Sequence, residues 1–139
     1  MLGLLLMFNA TAMFVCTLLS VYLDDGATEG LLFSALITIG IGLLLLLITR
    51  NRKREIKMRD GYLTVVMGWL SMVIFGTLPY LLTQSLVSYS DALFETMSGF
   101  TATGATIVQD IEALPKSIIL WRSLTHWLGG MGIIVLACL

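Results

Sequence analysis

The chain has 139 residues, 58% of them apolar and only 12% charged, with 13 Gly, 2 Pro and a formal net charge of −1, and its mean hydropathy is +0.95. A water-soluble domain carries about a quarter charged residues, so this composition excludes most soluble enzymes and nucleic-acid-binding modules and names a bilayer as the solvent. The small net charge hides an uneven distribution, because six of the eight Lys and Arg fall between Arg50 and Arg59.

Residues 1–23 carry no charge and lead to Asp24, Asp25 and Glu29; residues 31–49 are again uncharged and lead to the basic run. Each stretch approaches the roughly 20 residues a membrane helix needs, so residues 1–49 read as two leading transmembrane helices. A cleaved secretory signal is the competing reading of the first stretch. It lacks a basic start, exceeds the usual apolar core of about 7–15 residues and shows no clear small-x-small site. Arg50, Arg52, Lys53, Arg54, Lys57 and Arg59 occupy a short loop, residues 50–60, between apolar stretches. The positive-inside rule makes that loop cytoplasmic, which puts Asp24 to Glu29 outside and the amino terminus inside. A solvated face or a nucleic-acid patch does not explain why two spans bracket the run. Cys16 and Cys138 lie within apolar stretches and read as small packed hydrophobes rather than as a disulfide or metal ligands.

Residues 61–90 carry no charge, long enough for an outward helix over about 61–82 and a polar connection. Pro79 falls near the end of that helix, where a freed carbonyl can be satisfied by water or a neighbouring helix. Tyr62 suits the inner interface and Tyr22, Tyr80 and Trp121 the outer one. Ser88 and Asp91 form a capping-box pattern for a short helix over about 89–99, with Gly99 as its stop. About eleven residues span roughly 16 Å, half a membrane. An inward helix follows over about 118–139, where roughly 33 Å of helix barely crosses the hydrocarbon. The carboxylate of Leu139 would then end near the bilayer edge at a cost, so the chain reads as part of a larger protein.

The half-length helix and the Thr101-Ala102-Thr103-Gly104 run after it lie between an outward and an inward span. Both ends of this segment belong on one side, and irregular backbone at membrane depth is tolerated only where protein buries it or it lines a watery cavity. A re-entrant pore loop meets that condition. The negative end of the short helix dipole and the carbonyls of Thr101, Ala102, Thr103 and Gly104 can replace the hydration oxygens of a cation, with Gly104 supplying a conformation or a close approach that a side chain forbids.

These residues carry a family resemblance. The stretch from Phe94 through Gly104 to Thr106, the run Asp110-Ile111-Glu112-Ala113-Leu114-Pro115, and Leu120-Trp121-Arg122-Ser123-Leu124-Thr125-His126-Trp127-Leu128-Gly129-Gly130-Met131-Gly132 resemble TrkH-like members of the Trk/Ktr/HKT cation transporter superfamily. The two leading helices match TrkH-like members more than the shorter KtrB type. The resemblance implies an all-α membrane protein in which four helix/pore-loop/helix units surround one pore, residues 61–139 being the first unit. It implies residues 101–104 as one filter strand, potassium as the transported substrate with no other cofactor, and no enzymatic activity. It further implies a multi-pass protein of the bacterial cytoplasmic membrane, homodimers of the full-length chain and regulation by a cytosolic nucleotide-binding subunit of TrkA type. Ala102 stands where the family often has Thr, and His126 where Gln is frequent.

Other residues read as structural. His126 has no Cys, His or carboxylate cluster beside it in sequence and reads as a packing or interfacial residue. Arg122 faces the outer interface or, alternatively, pairs with Glu95 or Asp110 to brace the loop. Asp91 and Glu95 do not argue for acid/base catalysis. Gly129, Gly130 and Gly132, like Gly40 and Gly42, read as packing positions rather than hinges. Two other assignments remain open at this level: a small non-conducting membrane subunit or a truncated fragment, and a homotetrameric channel of single-unit chains.

Overall fold

Apolar side chains cover the outside of this bundle, and small polar ones share its inside with an apolar core, an arrangement that a hydrocarbon solvent permits. In the computed structural model, the backbone of residues 2–49 and 58–137 and the side chains of residues 2–49 and 63–132 are described. Leu4, Phe8 and Leu18 on the first helix and Phe33, Leu44 and Leu47 on the second are exposed, whereas Asn9, Thr17, Ser20, Ser34 and Thr38 are buried. Among the described residues the elements are α1 (Leu2–Leu23), α2 (Thr28–Thr49), α3 (Met58–Gly76), α4 (Leu78–Leu82), α5 (Tyr89–Phe100) and α6 (Lys116–Ala137), with no strand. Three stretches, Leu2–Leu23, Thr28–Thr49 and Leu63–Leu82, are long and apolar enough to cross a membrane. The chain is an all-α membrane protein.

The buried hydroxyls of α2 are satisfied locally, as hydrocarbon favours, whereas those of Tyr80 and Ser117 are buried without a partner among the described residues. Ser34 donates to the Gly30 carbonyl at 2.7 Å and Thr38 to Ser34 at 2.7 Å, each one turn back. Asn9 reaches across to α3, its Nδ2 donating to the Met72 carbonyl at 3.4 Å. α1 and α2 approach closely where Gly3 meets Gly42: a Cβ on Gly3 would lie 2.8 Å from the Gly42 oxygen. Gly42 is thus a packing position, but Gly40, expected to be another, has nothing within 4 Å of an added Cβ.

The outward helix expected over 61–82 is two helices. It begins at Met58, ends at Gly76, and resumes as α4 after Thr77, with Pro79 in the first turn of the new helix. The break leaves carbonyls at the end of α3 short of ladder partners, and Trp121 of α6 serves one of them: its Nε1 donates to the Gly76 carbonyl at 3.2 Å. Trp121 and Tyr80, expected in the outer aromatic belt, are therefore fully buried in the bundle. The indole donor is used by a helix end rather than by interfacial water. Tyr22 is exposed.

The turn between α1 and α2 ties the leading hairpin to α6. Asp25 accepts from Ser20 Oγ and, at 3.2 Å, from the Ala27 amide through Oδ1; its Oδ2 accepts from the Ser117 amide at 2.9 Å. Asp25 so caps the start of a helix far along the chain, where a negative charge complements the dipole. Partial burial by itself raises the Asp25 carboxyl pKa, but the hydrogen bonds from Ser20, Ser117 and Ala27 outweigh it and hold the pKa below the ordinary value. The α4 end packs here too, since a Cβ on Gly30 would lie 2.7 Å from the Thr83 amide nitrogen. The α1–α2 turn, the end of α4 and the start of α6 therefore share one end of the bundle. α6 starts at Lys116, earlier than the expected 118, and has 22 residues. The basic run at residues 50–57, Cys138 and Leu139 lie outside the described residues, as do the side chains of Arg59 and Tyr62.

Candidate functional site

The segment between α4 and α6 leaves one end of the bundle and returns to it. α5 has 12 residues, about 18 Å, and its last turn packs beside Thr125 and Gly129 of α6. A Cβ on Gly99 would strike the Thr125 side chain, and one on Gly129 would strike the Phe100 carbonyl, lying 2.6 Å from its carbon. On the opposite side α3 receives the same turn: a Cβ on Gly76 would lie 2.8 Å from Thr96 Cγ2 and 2.9 Å from Phe100 Cε2. Trp69 meets the Phe100 ring edge to face at a centroid distance of 6.4 Å. Small residues on α3, α5 and α6 thus let three backbones converge where the short helix ends. Gly129 and Gly132 are packing positions, the latter against Trp69, whereas Gly130 has nothing within 4 Å of an added Cβ.

The ends of α5 differ from the expected pattern. Ser88 is the N-cap residue in an extended conformation, yet its side chain makes no capping bond, so the box with Asp91 does not close; Asp91 sits in the first turn, where its charge suits the dipole. At the other end Gly99 is not the stop. The helix runs to Phe100, after which Ala102 donates to the Gly99 carbonyl at 2.9 Å and Thr103 to the Ser98 carbonyl at 3.0 Å. These two bonds form a Schellman motif. Its left-handed residue is Ala102, at φ +53°, while Gly99 lies within the helix against Thr125.

Gly104 is also left-handed, at φ +76°. Nothing lies within 4 Å of a Cβ added there, so conformation rather than close approach is what demands glycine. Positive φ recurs at 102 and 104, with the residue between them at negative φ. Residues 101–107 are exposed. Among the described residues no donor meets the carbonyl oxygens of Thr101, Ala102, Thr103 and Gly104. The Thr101 hydroxyl donates to the Met97 carbonyl at 2.8 Å and so accepts from Thr103 Oγ1, also at 2.8 Å. α5 carries no basic residue in its last turn, which leaves the negative end of its dipole uncompensated.

Behind the strand the chain is fastened to α5 by side chains. Ser98 Oγ donates to the Ala105 carbonyl at 2.6 Å, and Thr106 Oγ1 donates to Glu95 Oε1. Glu95 is fully buried, with Arg122 Nε 3.6 Å from its Oε2. Arg122 therefore does not simply face the outer interface. It faces the buried carboxylate, because an unpaired charge at that depth is costly. Its carbonyl accepts from Thr125 Oγ1 at 2.7 Å and meets His126 Nδ1 at 2.8 Å; a carbonyl only accepts, so Nδ1 carries the proton there. His126 is half-buried and structural in this setting. No group of three or more His, Cys, Asp or Glu is placed to hold a metal ion among the described residues. Ser98 was not singled out by its sequence context, since a serine seven residues before its acceptor has no local signature.

The family model described as "Cation transport protein", TrkH, matches residues 31–139. The Trk system potassium uptake protein TrkH of Halomonas elongata is 42% identical over 137 residues, covering 98% of this chain and 28% of the relative. Its namesake in Escherichia coli K12 is 37% identical over 136 residues, covering 97% of this chain and 28% of the relative. The crystal structure of the potassium transporter TrkH from Vibrio parahaemolyticus superposes with a TM-score of 0.90 at 37% identity, over 98% of this chain and 29% of that one. The chain thus spans under a third of the length of the relatives it matches. With the family model covering most of the chain, and these relatives aligning along nearly all of it, the chain belongs to the TrkH family of cation transport proteins, which are transporters and not enzymes.

Proposed function

We propose that this chain is the amino-terminal part of a potassium-uptake protein, with residues 101–104 forming one strand of its ion filter. The observation that carries this reading is the exposed run of residues 101–104 at the end of a half-length helix, whose four carbonyls meet no donor among the described residues. Such oxygens can exchange for the hydration shell of a dehydrating cation, and the uncompensated helix end adds negative potential. The names of the relatives, potassium uptake proteins, supply the ion. Thr101, Ala102, Thr103 and Gly104 act through their backbones, so Ala102 in place of threonine costs little ion binding.

In this reading the chain sits in the bacterial cytoplasmic membrane with its amino terminus and basic loop inside. Residues 61–139 form one helix/pore-loop/helix unit, and three more units complete the ring. The full-length protein dimerises and is regulated by a TrkA-type nucleotide-binding subunit. Potassium descends its electrochemical gradient through the filter.

The test is rubidium and potassium uptake by the complete protein in a host deficient in potassium uptake. Wild-type protein restores uptake; Gly104→Val abolishes it or its preference for potassium while the protein still reaches the membrane. Unchanged uptake and preference in Gly104→Val would remove residues 101–104 from the ion path.

A further inference from the structure

We infer that Ser98 is a positioning residue that ends the ion-facing row of carbonyls at Gly104 by drawing the next one, that of Ala105, back into the protein. This inference rests on residues 101–104 being a filter strand. Ser98 is buried on α5 and holds the returning chain at two points: its carbonyl accepts from the Thr103 amide at 3.0 Å and its hydroxyl donates to the Ala105 carbonyl at 2.6 Å. A serine hydroxyl has a single proton, and here that proton is spent on Ala105. The four carbonyls before Ala105 have no donor among the described residues.

A hydrogen-bonded carbonyl offers a cation less than a free one does, because its negative end already faces a donor. Without the hydroxyl, the oxygen of Ala105, an exposed residue, loses its donor and is free to turn toward whatever satisfies it. Water or the transported ion is nearest to hand on the exposed side of the strand. The strand would then offer a fifth, loosely held oxygen, which alters both the number of coordinating carbonyls and the shape of the cavity, the two quantities to which cation preference is attributed. Thr106 bonding to Glu95 one turn earlier on the same helix face keeps the rest of the chain in place, so the change stays local to Ala105.

The experiment measures potassium, rubidium and sodium uptake by the complete protein carrying Ser98→Ala, Ser98→Thr or Gly104→Val. Ser98→Ala is expected to reduce the potassium-over-sodium ratio on the order of threefold to tenfold, the effect of about one hydrogen bond, with membrane abundance unchanged. Ser98→Thr, which keeps the hydroxyl, restores the ratio; loss of packing alone would change abundance or total flux without a ratio that the hydroxyl rescues. If Ser98→Ala fails to accumulate, Ser98→Cys fills the space with a weaker donor and should lower the ratio in the same direction. An unaltered ratio in Ser98→Ala, or in Ser98→Cys where that replaces it, overturns the role of Ser98 while a damaged Gly104→Val leaves the filter standing. An unaltered ratio and uptake in Gly104→Val as well overturns the filter itself.

Discussion

The hydroxyl of Thr106 donates to the carboxylate of Glu95, and through it the returning strand is bound to the helix it has just left. Arg122 on α6 faces the other oxygen of the same carboxylate, so one buried charge joins three pieces of chain. Removing the arginine leaves that charge without its counter-ion, which typically costs 3–5 kcal/mol for a buried pair. Arg122→Gln in the complete protein should lower thermal stability in detergent strongly, and Glu95→Gln added to it should recover part of the loss. A double variant no more stable than the single one would show that the pair is not coupled.

Ala102 and Gly104 occupy the same left-handed region with different side chains, and opposite substitutions should have unequal effects. Gly104→Ala forces a Cβ into that conformation at roughly 1–2 kcal/mol and should lower both stability and potassium uptake. Ala102→Gly relieves a comparable strain while adding unfolded-state freedom worth about 0.5–1 kcal/mol, so its stability should stay within about 1 kcal/mol of wild type. Melting temperatures of the two variants side by side decide the point.

Gly129 faces the main chain of Phe100, which cannot rotate away as a flexible side chain would. Gly129→Ala should therefore separate α6 from the end of α5 and cost about 1–3 kcal/mol, the usual range for overpacking. Gly130→Ala, one residue along and with open space at its Cβ, should be nearly neutral. Comparing thermal midpoints of these neighbours separates a contact from a general intolerance of α6 to alanine.

Asp25 gives the bundle a pH dependence of definite sign. Its pKa is held below the ordinary 3.8 by the bonds from Ser20, Ser117 and Ala27, so the folded state prefers the carboxylate. The stabilisation is complete above that ordinary value and is lost as pH falls below it through the folded pKa. Asp25→Asn should be less stable than wild type at pH 7, and the gap should narrow as pH is lowered below 3.8. Thermal unfolding of both proteins across that range provides the measurement; a gap constant with pH would mean that the charge of Asp25 contributes nothing.

What could be read from the residues and what could not divides along physical lines. Uncharged stretches announced the helices, and the Thr/Gly interruption marked the exposed strand, because both depend on local composition. Trp121 misled: an aromatic residue near a helix end is placed at the interface by rule, yet the broken end of α3 needed its N–H. The end of α5 misled similarly. Gly99 has the backbone freedom to stop a helix, but its glycine is required by contact with Thr125, and the left-handed residue is Ala102. The Glu95–Arg122 pairing was one of three outcomes open to Arg122, beside the outer interface and Asp110, and only the packing of α5 on α6 selects it.

The bond between Asp25 and Ser117 carries a statement about order of assembly. Chains are made from the amino terminus, so the acceptor emerges long before the donor it serves. The leading hairpin can settle first and hold its carboxylate ready, hydrogen-bonded to Ser20 and Ala27. The Ser117 amide, made later, meets an acceptor whose other bonds lie within the leading hairpin, so the start of α6 is fixed by a turn more than ninety residues before it.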